Sequence, residues 1–338
     1  MKACPKERII TASSIRLPAT VSTIPVHAPC TSFSSPSGDD VLIVQPNLNA
    51  TFSLTGTHLR IVPPGWSYPR HDHPYFELIL QEQGEQHNRL TGRSLTQRPG
   101  DVLLLCPFDA HASSAPSAAS FYCVHFDVDE LALRRLLCRA GTRLIDGESH
   151  SGRRVREALQ SLRTVAGPEA ATPESMLVYR LRSGAALFEV LARLAEAFLQ
   201  EDGTLPELSQ VALQTASRLA ELIQRETERG ESSVCIESAI RRLGYHPDYG
   251  NMLFRQVYGM SARQYRSLVK LKRAKTLLLD NEMSVQSVAE RMGYSDTAHF
   301  SRQFKRWTGM SPIAYRSNTG IAGKAEANIP QDFAMPAV

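Results

Sequence analysis

The string YGMSARQYR at 258–266 returns as TGMSPIAYR at 308–316, an offset of 50 residues. Phe254 and Phe304 share that offset, and Gly244-Tyr245 matches Gly293-Tyr294 at 49. Self-similarity at a fixed period means two copies of one supersecondary unit, so the C-terminal third must hold a stacked pair of like units.

Each copy reads as a helix-turn-helix. In the second, Val285 to Met292 predicts a short helix whose Ala289 lets a neighbouring helix cross closely. Gly293 supplies the turn, because glycine enters the left-handed region at little steric cost. Ser295 or Asp296 can cap the next helix, which runs from about Thr297 to Trp307. Phe300, Phe304 and Trp307 fall on its inner side, while Thr297, Ala298, His299, Ser301, Arg302 and Lys305 point outward. Short polar side chains followed by an arginine suit a helix that reads base edges in the major groove. Ser311-Pro312 opens another helix, with serine as cap and proline at the first helical position. Between the copies, Ala262 to Asp280 predicts one long helix with Tyr265, Leu268, Leu271, Ala274 and Leu278 along a face. Its other face carries Arg266, Lys270, Lys272, Arg273 and Lys275. Such a rigid link can hold two reading helices about one DNA turn, roughly 34 Å, apart. Charge agrees: Ser261 to Arg316 holds 11 Lys/Arg against 4 Asp/Glu, a balance of +7, leaving 27 against 30 elsewhere. A basic module on a slightly acidic body suits a polyanionic partner.

The stretch Ser284 to Arg316, SVQSVAERMGYSDTAHFSRQFKRWTGMSPIAYR, resembles the signature of the AraC/XylS family of bacterial regulators. With the first copy, the resemblance covers roughly 212–316. It implies double-stranded DNA as partner, contacted by Thr297, Ala298, His299, Ser301 and Arg302. The first copy departs from the pattern. Ile240 stands where a small residue is usual, unless Ala239 fills the place through a one-residue insertion. Gly250 replaces the apolar anchor of the reading helix, at about 1 kcal/mol of helix propensity. Asp248, Asn251 and Met252 occupy its DNA-facing positions. Asp248 opposes phosphate but can accept from a cytosine amino group, and Met252 forms no ion pair. The second unit is therefore expected to carry most of the specific affinity.

The N-terminal half has a different rhythm. VLIVQ, HLRIV, FELILQ, DVLLLC and FYCVHF are short β-type runs separated by PPG, EQGEQ, LTGR and RPGD, which predicts an antiparallel barrel or sandwich. The fold class is thus α+β, in five parts. Residues 1–40, rich in Ser, Pro and Thr, are expected to form a disordered arm; 41–130 the barrel; 131–207 a helical dimerisation and linker region; 208–318 the double helix-turn-helix; and 319–338 a flexible tail. Within the helical region, Leu177, Leu181, Leu187, Leu191, Leu194 and Phe198 fall near one face, and EDGTLPE (201–207) reads as the interdomain linker.

Inside the barrel segment, Gly65, His71, His73, Glu77 and Gly84 fit the spacing G-x5-H-x-H-x3-E-x6-G, and Pro99 to His111 follows a second pattern. Strand alternation keeps His71, His73 and Glu77 on one side. The spacing resembles the cupin motifs, which implies that His71, His73, Glu77 and His111 point into the barrel and could hold iron, manganese, nickel or zinc. The second motif is degraded: Cys106, Phe108 and Ala115 replace its usual Pro, Gly and Asn, and Phe108 is expected to narrow the pocket mouth. Three readings stay open. The four residues, with Arg70 and Tyr68 and further with Tyr75 and His87, line a pocket for an organic effector; they hold a metal; or the barrel only packs and dimerises. Buried polar groups suit a hydroxylated, sugar-like ligand, and a carboxylated aromatic could pair with Arg70.

No apolar run approaches the roughly 18–20 residues that cross a bilayer, and the amino end lacks the apolar core of a signal peptide. Cysteines at 4, 30, 106, 123, 138 and 235 show no C-x-x-C spacing, the habit of free thiols in a reducing cytosol. The expectation is a cytoplasmic, ligand-responsive activator of a catabolic operon, homodimeric through the barrel or the helices around 175–199. It would meet DNA, a small effector and RNA polymerase, with no cofactor and no catalytic residue. The alternatives are a metal-dependent cupin enzyme, such as a dioxygenase or isomerase, fused to a DNA-binding tail, and an effector-independent regulator.

Overall fold

The computed structural model describes residues 52–165, 167, 172–230 and 235–319. The expected arm, the VLIVQ run and nearly all of the tail lie outside them. The strands are β1 (Phe52–Val62), β2 (Trp66–His71), β3 (Phe76–Gln83), β4 (Gln86–Leu90), β5 (Arg93–Gln97), β6 (Val102–Leu105), β7 (His111–Ala115) and β8 (Ala119–Val128). After α1 (Leu131–Ala140) a short β9 (Arg143–Ile145) follows. Two antiparallel sheets result, ordered β1-β8-β3-β6-β9 and β2-β7-β4-β5.

The first sheet is buried on both faces, which explains why its strands read as near-continuous apolar runs. Phe76, Leu78 and Leu80 of β3 and Tyr122, Val124 and Phe126 of β8 pack under helices. Ile79 of β3 and Phe121 and Cys123 of β8 pack inside the barrel. Gly84, between β3 and β4, has φ +68°, and a Cβ there would meet the Ala118 carbonyl oxygen at 2.4 Å, so only glycine fits.

Two expectations are corrected. The barrel does not stop at 130: β9 extends the first sheet, with Val102 opposite Ile145. Three residues are too few to show alternation. Second, α2 (His150–Arg163) and α3 (Pro173–Asp202) cover the sheet, but Leu177 and Leu181 are 58% and 65% exposed, while Leu187, Leu191, Leu194 and Phe198 are buried. At about 3.6 residues per turn, Leu177 and Leu181 fall outside the buried arc, which in the first turns of α3 runs through half-buried Met176 and Tyr179 and buried Ser183.

A non-helical stretch at 203–209 precedes α4 (Gln210–Glu228), α5 (Ile236–Arg242), α6 (Pro247–Tyr258), α7 (Ala262–Leu278), α8 (Val285–Arg291), α9 (Thr297–Thr308) and α10 (Pro312–Thr319). Two cores correspond to the two copies, one around Leu253 and Phe254, the other around Phe300, Phe304 and Trp307.

A buried charge cluster ties the barrel to these helices. Asp127 at the end of β8 is 2% exposed. Arg134 of α1 donates to its Oδ1 and, through Nε, to the Val128 carbonyl at 2.8 Å. Lys272 of α7 reaches Asp127 Oδ2 at 3.0 Å and Asp129 Oδ1 at 2.5 Å. Breaking a buried pair from one side costs about 3–5 kcal/mol. Urea unfolding of Asp127→Asn should show a loss of that order. Asp129→Asn, at a half-exposed carboxylate, should cost less than about 1 kcal/mol.

Candidate functional site

Two strand registers assemble the barrel site. In the second sheet His71 lies opposite His111; in the first, Glu77 lies opposite His125. The sheets face one another, so both pairs meet in the interior. His73 follows β2 in the turn 72–75, which carries the chain from one sheet to the other.

Glu77, 5% exposed, is the centre. Its Oε2 lies 2.9 Å from His73 Nε2 and 3.5 Å from His111 Nε2, and its Oε1 lies 3.5 Å from His125 Nε2. The His71 and His111 rings approach to 4.1 Å between centroids. Burial alone would raise the Glu77 carboxyl, but His125, His111 and His73 outweigh it and hold the group well below the usual carboxylate range. Burial pushes His125 down to about 4, and burial with the neighbouring His111 does the same to His71. His111 moves the other way, since its bond and attraction to Glu77 exceed the desolvation that lowers it.

The outer nitrogens are committed. His71 Nδ1 lies 3.0 Å from the Pro69 carbonyl, His73 Nδ1 3.1 Å from that of Tyr75, and His111 Nδ1 2.9 Å from that of Asp109. A carbonyl only accepts, so each Nδ1 carries a proton, and each Nε2 is turned inward. Backbone carbonyls that orient imidazoles in this way are the usual outer partners of metal-binding histidines.

The donor set can therefore be tested against the metal that the cupin spacing implies. The donor atoms of His71, His73 and His111 lie within 4.8 Å of one another, as do those of His73, Glu77 and His125. Ligands of one ion at about 2.1 Å stand at most about 4.2 Å apart, so small side-chain rotations suffice. The residues fit a divalent transition metal, for which imidazole is a preferred donor. His71, Glu77, His111 and His125, together with Arg60 and Ser113, border a cavity of about 100 Å³, whose lining does not include His73.

The four residues expected in the interior are thus brought together, and Tyr68 lines the same cavity. Arg70 does not join them: it is exposed, and its Nη2 donates to Thr91 Oγ1 at 2.8 Å. His87 faces outward on β4, where Gln86 and Asn88 take the inward positions. Tyr75 is buried on the far side, in the core of the second helix-turn-helix unit. Phe108 keeps the left-handed backbone of the glycine it replaces, with φ +66°. Its amide donates to the His73 carbonyl at 2.8 Å, but its ring is not part of the cavity lining. The sequence reading missed His125 and its neighbour His58, stacked at 5.7 Å. The FYCVHF alternation contained the signal for His125, but only the register with β3 places it against Glu77.

In the second helix-turn-helix unit, Asp296 rather than Ser295 caps α9, accepting from the Ala298 and His299 amides at 2.9 and 3.1 Å. Ala298, His299, Arg302 and Lys305 are exposed, and Thr297 and Ser301 half-buried. Arg302 Nη2 lies 3.7 Å from Asp296. In the first unit Asp248 and Met252 are exposed, but Asn251 turns inward and accepts from the Ala262 amide at 3.1 Å. It joins α6 to α7 and leaves the expected reading surface. Gly250 is no packing defect either. It is buried, and a Cβ there would meet Ile240 Cγ2 at 2.2 Å. The Ala289–Phe300 contact of the second unit is exchanged here for a large Ile240 against no side chain at all. The basic side of α7 is engaged as well: Lys272 binds Asp127, Lys275 lies 4.8 Å from the centre of the Tyr75 ring, and Arg273 donates to the Glu228 carbonyl at 2.6 Å.

A histidine-lined barrel carried on the same chain as two helix-turn-helix units defines a transcription regulator with a built-in ligand-binding domain. Residues 57–233, a little over half of the chain, match the AraC-like ligand binding domain, and 240–318 match the helix-turn-helix domain. The chain belongs to the AraC family of DNA-binding transcriptional regulators. It is similar to the regulator YisR of Bacillus subtilis, 27% identical over 71% of this chain and 85% of that one. The transcriptional activator RhaS of Klebsiella pneumoniae is 25% identical over 74% and 87%. Among solved structures, ToxT from Vibrio cholerae aligns with 79% of this chain and 98% of its own at 12% identity, with a TM-score of 0.46.

The exchanged contact in the first unit is open to a double-mutant cycle. Gly250→Ala is expected to cost about 1–3 kcal/mol through overpacking, despite the gain of about 1 kcal/mol in helix propensity. Adding Ile240→Ala should recover at least about 0.5 kcal/mol relative to the sum of the single changes in chemical denaturation.

Proposed function

We propose that this regulator responds to a small ligand held in the barrel by His71, His73, Glu77 and His111, and that its second helix-turn-helix unit carries most of the sequence-specific affinity. The observation that carries the reading is the convergence of those side chains on a buried carboxylate beside a turn that packs on the second unit. Tyr68 completes the pocket. A volume near 100 Å³ accommodates about three waters at roughly 30 Å³ each, well under the roughly 300–1,000 Å³ of pockets for drug-sized molecules. It favours a ligand of few atoms; a sugar-sized effector requires the barrel to expand.

On DNA, the reading assigns base and backbone contacts to Thr297, Ala298, His299, Ser301, Arg302 and Lys305, with Asp248 and Met252 as minor contributors from the first unit. The reading makes the chain an activator of a catabolic operon that contacts RNA polymerase; a transcriptional activator among the relatives supports activation. Dimer formation through α3 draws support from exposed Leu177, Val178 and Leu181. No helix among the described residues is long and apolar enough to cross a membrane, which agrees with work in the cytoplasm. The relatives are regulators, and the reading gives the chain no catalytic residue.

Affinity for a DNA site selected from a random pool tests the division between the units. Arg302→Ala should weaken binding by about 1–3 kcal/mol, and Met252→Ala by much less. Equal losses would remove the claim that the second unit dominates.

A further inference from the structure

We propose that the signal is a divalent transition-metal ion held by His71, His73, Glu77, His111 and His125, and that Asp72 and Tyr75, set between and beside its ligands, report it to the second helix-turn-helix unit. The proposal rests on the barrel being the ligand-binding site, and adds the chemical class of the ligand, a fifth donor and the route by which binding is read.

The ligand class follows from the donor atoms. With each Nδ1 of His71, His73 and His111 held by a carbonyl, the three Nε2 atoms are turned inward, those of His73 and His111 onto the Glu77 carboxylate. His73 Nε2 and Glu77 Oε2 stand only 2.9 Å apart. A contact of that length is a hydrogen bond whose proton a metal ion can replace, and imidazoles around one carboxylate select a transition metal over calcium or magnesium. His125 belongs to the set because β3–β8 pairing puts it directly across from Glu77.

The route follows from alternation along five residues. His71 and His73 point inward. Asp72 points outward, where its carboxylate accepts from Arg306 of α9 at 3.1 Å. Tyr75 also points outward, is 6% exposed and packs in the second unit's core, with Lys275 of α7 over its ring. Pro74 between them fixes one backbone angle. The His73 ring itself bridges the two sides: Nε2 faces Glu77 and Nδ1 holds the Tyr75 carbonyl. An ion that draws His71 and His73 toward Glu77 moves Asp72 and Tyr75 with them, and so alters the seat of α7 and α9. This couples metal to DNA only through a difference in metal affinity between the docked and released arrangements.

The test uses the full chain freed of metal with a chelator and titrated with Co²⁺, whose visible absorption reports imidazole ligands, and with Zn²⁺. One ion per chain is expected. Glu77→Gln and His73→Ala should weaken Co²⁺ binding at least a hundredfold. His125→Ala should weaken it at least tenfold and shift the visible bands, while an unchanged circular dichroism spectrum and urea midpoint show the chain folded. Zn²⁺ should change wild-type affinity for the selected DNA site at least fivefold, the lower range of coupling between sites. Asp72→Asn and Lys275→Met should keep Co²⁺ affinity within twofold and abolish that change. No saturation by Co²⁺ or Zn²⁺ up to millimolar concentration overturns the metal; if an organic compound then alters DNA affinity, the barrel remains the sensing site, and if none does, that reading falls too. An unaltered spectrum in His125→Ala removes the fifth donor. Metal bound without effect on DNA, or an effect that survives Asp72→Asn and Lys275→Met, overturns the route.

Discussion

A carboxylate buried in a β-barrel must be surrounded by groups that stabilise its charge, and Glu77 sets that requirement for the whole N-terminal half. It explains why β2, β7, β8 and the turn after β2 each deliver a histidine to one region, and why the outer nitrogens of His71, His73 and His111 are anchored to nearby carbonyls. It also explains why the interior is small. Imidazoles brought within bonding distance of one carboxylate leave little room for anything else.

The same economy governs the junction with the DNA-binding helices. The chain crosses from one sheet to the other between His71 and Phe76, so residues of one short turn serve opposite sides of the barrel wall. Asp127 and Arg134 add a second tie, with Lys272 closing the cluster from α7. Docking is therefore electrostatic at two points, and apolar between them where Tyr75 enters the second unit's core. A ligand-dependent change in the turn has a defined place to act: the contacts of Arg306 and Lys275.

Much of this was legible beforehand. The repeat, the turn glycines and the capping residues are local features, and local chemistry determined both helix-turn-helix units. Period-two spacing pointed His71, His73 and Glu77 to one side of a single strand, whereas the chain turns between them: His71 ends β2, His73 lies in the turn and Glu77 stands on β3 of the other sheet. What the sequence could not reveal was everything that depends on which strands pair and which surfaces dock. His125 needed the β3–β8 register. Tyr75 has the composition of a pocket residue, yet it serves another core. Gly250 looked like a weakness until Ile240 was seen to occupy its space, and Asn251 looked like a reading residue until the α7 amide claimed it. Leu177 and Leu181 read as neighbours of the buried face, but the arc that packs runs through Met176, Tyr179 and Ser183 instead.

The basic side of α7 has one more implication. Affinity for DNA is largely the entropy of cations released from the phosphate backbone, and the salt dependence of binding counts how many positive side chains take part. Lys272 is engaged by Asp127 and Asp129 while the barrel is docked, and Lys275 lies between the Tyr75 ring and Tyr315 of its own half, so Lys272 does not belong to that count. The barrel acts as a built-in counter-ion. It lowers the thermodynamic valence of the DNA-binding half without touching the residues that read sequence, and undocking it would change how ionic strength tunes this protein before it changed which site is preferred.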